Sequence, residues 1–103
     1  MVATEDTVGI FSHVLVKCEQ AFLHSVRINH PGCARISREC SEITGLMTQL
    51  FARDSLLFYR MIPTYIEVCK ECMICCDHAD DKIYEACCEA CSACINELRK
   101  IRK

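Results

Sequence analysis

Apolar and cysteine side chains recur along this chain at alternating steps of three and four residues, the spacing of helices that bury one face each. Four segments carry the pattern. The first is predicted from roughly Thr4 to Asn29, with Val8, Phe11, Leu15, Cys18 and Phe22 on one stripe. The second runs from about Cys33 to Arg53 and aligns Cys33, Ile36, Cys40, Ile43, Met47 and Leu50. The third begins near Asp54, taken as its N-cap, ends near His78, and aligns Phe58, Ile62, Tyr65, Cys69, Cys72 and Cys76. The fourth, capped by Asp80 or Asp81, aligns Tyr84, Cys87, Cys91, Cys94, Leu98 and Ile101 and closes on Arg99, Lys100, Arg102 and Lys103, charges that suit a helix C-terminus.

Helix breakers fall between these stripes. His30-Pro31-Gly32 is the clearest interruption, and beyond Gly45 only Pro63 remains, which is expected to kink the third helix or split it after Met61. Glu5 and Asp6 suit the positive end of the first helix. Four amphipathic helices joined by short connections predict an all-α fold: an antiparallel four-helix bundle, formed as a single domain over residues 1–103.

Composition changes the picture in one respect. Charged residues make up 25% and the net charge is -2, which suits a globular chain and argues against a basic nucleic-acid binder. Eleven of the 103 residues are cysteine, and eight of them lie within residues 69–94. The beginning of the chain reads as neither a secretory signal nor a membrane span, so the expected compartment is the cytoplasm, where thiols stay reduced and more often serve metals or redox chemistry than structural bridges.

Antiparallel topology gathers these thiols. The end of helix 1, the start of helix 2, the end of helix 3 and the start of helix 4 share one end of the bundle. Cys33 to Cys40 then spans ~10 Å of depth in helix 2, and Cys76 back to Cys69 a similar depth in helix 3. Cys87, Cys91 and Cys94 descend helix 4 from the same end, with Cys18 deeper on helix 1. The other end is expected to be packed with Phe11, Leu15, Met47, Leu50, Phe51, Leu56, Phe58, Met61, Leu98 and Ile101. The predicted core is therefore lined by cysteine at one end and apolar at the other.

Soft thiolates favour Cu(I), Zn(II) or iron–sulfur clusters over hard cations. A row of sulfurs with few carboxylates beside it best suits a soft monovalent ion that accepts two or three of them, and Cu(I) fits. Zinc is the competing metal, since CxxC occurs at Cys69/Cys72, Cys72/Cys75, Cys88/Cys91 and Cys91/Cys94, although the region has no Gly for a knuckle turn. Cys69, Cys72 and Cys75 begin a ferredoxin-like spacing but lack its fourth Cys and Pro. A disulfide-stapled hairpin, a thiol redox protein and plain hydrophobic packing of cysteine complete the alternatives. Cys18 alone reads equally well as a core hydrophobe. No phosphate loop, Ser/His/Asp set or EXXH pattern supports an enzyme.

The CxxxC repeats on consecutive helices and the closing EACCEACSAC resemble the bacterial copper storage proteins, four-helix bundles that bind Cu(I) through core cysteines. The resemblance spans about Gly32 to Leu98. It implies storage or buffering of Cu(I), homotetramers, and a ligand role for Cys33, Cys40, Cys69, Cys72, Cys76, Cys87, Cys91 and Cys94. Fewer cysteines on helix 1 and an apolar far half set this chain apart from that pattern. Cys18 joins the candidate ligands, as do Cys75 and Cys88, one residue off the stripe, and His30 and His78, which lie where an imidazole could pass a metal inward. His24 reads as a surface residue. Met73, Met47 and Met61 read as packing, and Tyr59, Tyr65 and Tyr84 as boundary aromatics. Leu23, Leu57 and Val68 lie off the inner stripe and predict self-association. Zn(II) is the expected substitute metal; neither nucleic acid nor membrane is expected as a partner.

Overall fold

The computed structural model describes residues 5–78 and 80–101, and among them four helices and no strand. They are α1 (Glu5–Arg27), α2 (Pro31–Ala52), α3 (Leu56–Cys75) and α4 (Lys82–Lys100). Each helix packs on two neighbours: α1 on α2 and α4, and α3 on the same pair. With short connections this is an up-down-up-down bundle, measuring 40 × 19 × 19 Å. The α1–α2 and α3–α4 connections share one end, called the mouth below, and the α2–α3 connection marks the far end. Thr4, Arg102 and Lys103 lie outside the described residues.

The helix ends correct several expected boundaries. Asn29 takes a left-handed φ of 58°, and the His30 N–H donates back to the Ser25 carbonyl at 2.8 Å, which stops α1 in the usual left-handed way. Pro31 and Gly32 are then not a break but the first residues of α2. Proline tolerates the first helical position because its missing N–H would have no partner there, and His30 caps the helix by accepting the Cys33 N–H at Nδ1, 3.2 Å away. Asp54 repeats the role of Asn29, with φ 52° and the Ser55 N–H bonded to the Leu50 carbonyl, so Ser55 rather than Asp54 is the α3 N-cap. The helix ends at Cys75, three residues before His78. It also runs unbroken through Pro63, whose ring is exposed at the surface, where water can serve the backbone group it leaves. Asp81 caps α4 by accepting the Ile83 and Tyr84 N–H groups, each at 3.1 Å.

The inner stripe of α1 also differs from the expected one. Phe11 and Cys18 are buried, but Val8 and Leu15 are exposed and Phe22 only half-buried. Thr7, Val14, Ala21 and Ser25 complete the buried register instead. Leu56, assigned to the far-end core, is 57% exposed, and Ile43 and Ile62 are half-buried. The far half is an aromatic cluster: Phe11 lies 6.5 Å from Phe51, 6.1 Å from Phe58 and 5.7 Å from Tyr65, ring centre to ring centre. Met47, Leu50, Leu98 and Ile101 pack with it. Edge-on aromatic pairs of this kind add about 0.5–1.5 kcal/mol each beyond the area they bury. Among the described residues no helix is long and apolar enough to cross a membrane.

Candidate metal centre

Nine of the eleven cysteines are buried, and Cys75 and Cys88 are half-buried. All eleven are free thiols. Their register along four antiparallel helices arranges them as a column running from the mouth into the bundle.

At the mouth, Cys33 sits in the first turn of α2 beneath two imidazoles. His30 Nε2 is 3.8 Å and His78 Nε2 3.6 Å from its sulfur, and the three potential ligand atoms lie within 4.8 Å of one another. The two rings meet edge to face at 5.2 Å, and His78 stacks on Tyr84 at 4.7 Å. Cys75 adds a sulfur 3.0 Å from that of Cys33. One layer inward, Cys72, Cys76 and Cys87 converge, with Cys72 and Cys87 sulfurs 3.7 Å apart. Deeper still, each helix gives one thiol to a four-sulfur group of Cys18, Cys40, Cys72 and Cys91, all mutually within 4.8 Å. Cys18 also reaches Cys87 at 3.7 Å, so the layers share members and are continuous. Cys69 and Cys94 follow, and the column ends where the Cys94 thiol donates to the Tyr65 hydroxyl at 3.5 Å.

Protons are unevenly shared in this column. The Cys40 thiol is held down to about 5, first by the hydrogen bond it receives from Cys18 and then by those from Cys69 and Cys91. Cys72 is lowered for the same reason, with Cys18 again the leading donor. Cys18 is correspondingly raised, chiefly by giving its proton toward Cys40 and Cys72, and Cys76 is raised chiefly by its bond to Cys72. Cys33 is pushed up to about 12 by burial and then by Cys75. Negative charge therefore concentrates on sulfurs in the middle of the column, held by neighbouring S–H donors. A soft cation entering such a core would meet thiolate at Cys40 and Cys72 and would displace the protons that donors such as Cys18 and Cys91 hold.

Of the residues singled out in the sequence, Cys18, Cys33, Cys40, Cys72, Cys76, Cys87, Cys91, His30 and His78 fall within these groups. Cys69 and Cys94 lie at the deep end, and Cys75 joins through Cys33. Cys88 stands apart, donating to the Met73 carbonyl at 3.3 Å. His24 is not a plain surface residue: it pairs with Asp81 at 2.8 Å and meets the Tyr84 ring at 5.0 Å, tying the end of α1 to the start of α4. Tyr65 and Tyr84 are not boundary residues, for both are fully buried. Each hands its hydroxyl to a Ser or Thr on another helix, Tyr65 to Thr44 at 2.7 Å and Tyr84 to Ser25 at 2.6 Å. Those hydroxyls in turn donate to the carbonyl four residues back, of Cys40 and Ala21. The two tyrosines thus wall the column near its mouth and at its floor. Their signal in the sequence was a Ser or Thr at matching depth on a neighbouring stripe.

Comparisons with known proteins agree with this architecture. A family profile described as Csp, copper storage protein, matches residues 11–103. The uncharacterized cysteine-rich protein YhjQ of Bacillus subtilis (strain 168) is 27% identical over 96 residues, covering 93% of this chain and 86% of that protein. The solved structure of Cu(I)-bound copper storage protein BsCsp3 superposes with a TM-score of 0.87 at 22% identity, covering 96% of this chain and 97% of that one, and so shares the fold.

Proposed function

The chain belongs to the copper storage protein family, and from that premise we propose that it is one bundle domain that stores and buffers Cu(I) on the thiolates of its core. The observation that carries this reading is the convergence of Cys18, Cys40, Cys72 and Cys91, one from each helix, as fully buried sulfurs within 4.8 Å of one another. Soft sulfur donors in a dry column hold a soft monovalent cation and give hard cations little. Cys33, Cys69, Cys76, Cys87 and Cys94 extend the same ligand set above and below, with Cys75 and Cys88 at its edge. His30 and His78 serve the mouth, where an ion leaving its carrier needs imidazole or sulfur at each step. The aromatic far half stays closed, so the ions use one opening.

The role is binding, not catalysis, and the expected compartment is the cytoplasm, whose reducing poise keeps the thiols free. Zn(II) is the second occupant to consider, because four thiolates satisfy its tetrahedral preference. Self-association, with a homotetramer as the family's precedent, is supported by α1, where Val16, Leu23 and Val26 are each about half exposed.

Anaerobic titration of the reduced protein with Cu(I) against a chelator of known affinity, followed by metal analysis, tests the reading. Several Cu(I) ions per chain and displacement of Zn(II) are expected. A single tightly held ion, or preference for Zn(II) in the same competition, overturns it. Sedimentation that shows only monomer at high concentration overturns the assembly.

A further inference from the structure

Cys33 and Cys75 stand closer than two thiol pairs deeper in the column. Their sulfurs are 3.0 Å apart, against 3.7 Å for Cys18–Cys87 and Cys72–Cys87. Two sulfurs each about 2.3 Å from one metal ion, at a tetrahedral angle or wider, stand ~3.8 Å apart or more. The Cys33–Cys75 spacing is thus too short for a shared ion and about 1 Å longer than a disulfide. The pair also joins two different helices at the mouth, the first turn of α2 and the last residue of α3.

Access singles out the same pair. Cys75 and Cys88 are the half-buried cysteines, and the other nine are sealed in the core. Cys88 directs its thiol to the Met73 carbonyl, whereas Cys75 has a sulfur beside it. A small oxidant in solution therefore meets Cys75 with its resolving partner in place. The imidazoles are set to assist. His30 accepts the Cys33 N–H at Nδ1, so its neutral ring carries the proton on Nε2, facing the Cys33 sulfur. His78 Nε2 lies 2.9 Å from the Cys75 carbonyl, an acceptor, so it too must be an N–H, and it stands 3.6 Å from the same sulfur. At rest the Cys33 thiol donates to the Cys75 carbonyl at 2.8 Å, and the two imidazole N–H groups stand beside the sulfur to support it once that proton leaves.

We propose that Cys33 and Cys75 form a reversible redox latch, closed by exchange with a low-molecular-weight disulfide, that seals the mouth of the column. Cys75 thiolate attacks the small disulfide, forming a mixed disulfide and releasing one small thiolate. Cys33 thiolate then attacks the Cys75 sulfur, forming the Cys33–Cys75 bond and releasing the second. Two protein thiols are oxidised, one small disulfide is reduced to two thiols, and the two protons leave with them. Closure ties the start of α2 to the end of α3 and withdraws Cys33 from the His30–Cys33–His78 group. The other nine cysteines stay unoxidised and keep their capacity. The latch as a gate rests on the copper-storage reading; its chemistry does not.

The test uses the reduced, metal-free full chain, incubated anaerobically with glutathione disulfide, then alkylated, weighed and peptide-mapped. Alkylatable thiols are expected to fall from eleven to nine, with Cys33 joined to Cys75. Cu(I) uptake from a chelator complex should slow by about tenfold, the scale on which disturbing a metal site alters its binding, and a dithiol should restore it. Cys75→Ser should load at one rate before and after treatment, and Cys33→Ser should retain a mixed disulfide on Cys75. A first disulfide elsewhere, a persistent mixed disulfide in the unsubstituted chain, or unchanged loading after closure overturns the latch. Failure of the untreated, reduced protein to take up Cu(I) instead overturns the storage reading, and the thiol count still reports on the latch chemistry.

Discussion

The two halves of the core sit on the same four helices and are equally dry, yet they do opposite work. The far half is filled by Phe11, Phe51, Phe58, Met47 and Leu98, large side chains that interlock through ring edges and bury much apolar area. The mouth half is filled by thiols, each a small hydrophobe with one weak donor, bonded mainly to other thiols. One region can hold the bundle together before any ion arrives. The other sacrifices packing for donors whose bonding is completed only by a metal. Separating the tasks along the helix axis lets one half of the core be built largely of small thiols while the other half holds the bundle together.

The sharpest way to break this comparison is to load the protein. Free Cu(I) at 1,000 times the dissociation constant should add about 4 kcal/mol for each independent ion, so several ions should outweigh any single substitution. Thermal unfolding of the loaded and metal-free protein measures this, and Cys40→Ala with Cys91→Ala should remove a large share of the increment. Next in size, Phe11→Ala should destabilise the metal-free bundle by about 3–5 kcal/mol, against about 1 kcal/mol for Cys40→Ala. Urea unfolding of reduced protein checks both, and equal losses would erase the division of labour. Third, Tyr65→Phe removes the hydroxyl between the halves and should lower stability by about 1 kcal/mol while leaving the number of Cu(I) ions bound unchanged. Denaturation and metal analysis read the two effects separately.

The smallest effect concerns the clasp at the mouth. Burial pushes the Asp81 carboxyl up, but the Tyr84 N–H and His24 outweigh it and hold it below the usual carboxylate range. A carboxyl lowered by folding stabilises the fold fully above its unfolded value, about 3.9, and loses that contribution as pH falls through the lower native value. Asp81→Asn keeps a cap on α4 but should flatten this part of the acid limb. Unfolding midpoints of both proteins across that range compare the slopes.

Much of this was legible from spacing alone. Cysteines at steps of three and four on helices 2, 3 and 4 have no other face to occupy, so Cys40, Cys69, Cys72, Cys87, Cys91 and Cys94 all turn inward as expected. On α1 the expectation followed size, choosing Val8 and Leu15, whereas the bundle needed small or hydroxyl side chains such as Ala21 and Ser25 to make room for Tyr84 and the thiols. Hydrophobicity ranks residues singly, but which face turns inward is decided by what the opposite helices must fit. The same cause hid the burial of Tyr65 and Tyr84. A buried tyrosine usually needs a hydrogen-bond partner for its hydroxyl, and the partners here, Thr44 and Ser25, are on other helices. The short pairing of Cys33 with Cys75 is likewise invisible in one dimension, since the two lie on different helices 42 residues apart.

On the proposed reading, the floor set by Tyr65 would give the store an order of service. A column entered from the mouth and stopped where Cys94 meets Tyr65 would behave as a stack rather than a pool: the ion deposited first would rest deepest, near Cys69 and Cys94, and the ion deposited last would stand nearest His30 and His78. Withdrawal through the same opening would reverse the sequence of arrival. Recent copper would then turn over quickly at the top, while the oldest ions would form a reserve released only when the rest had gone.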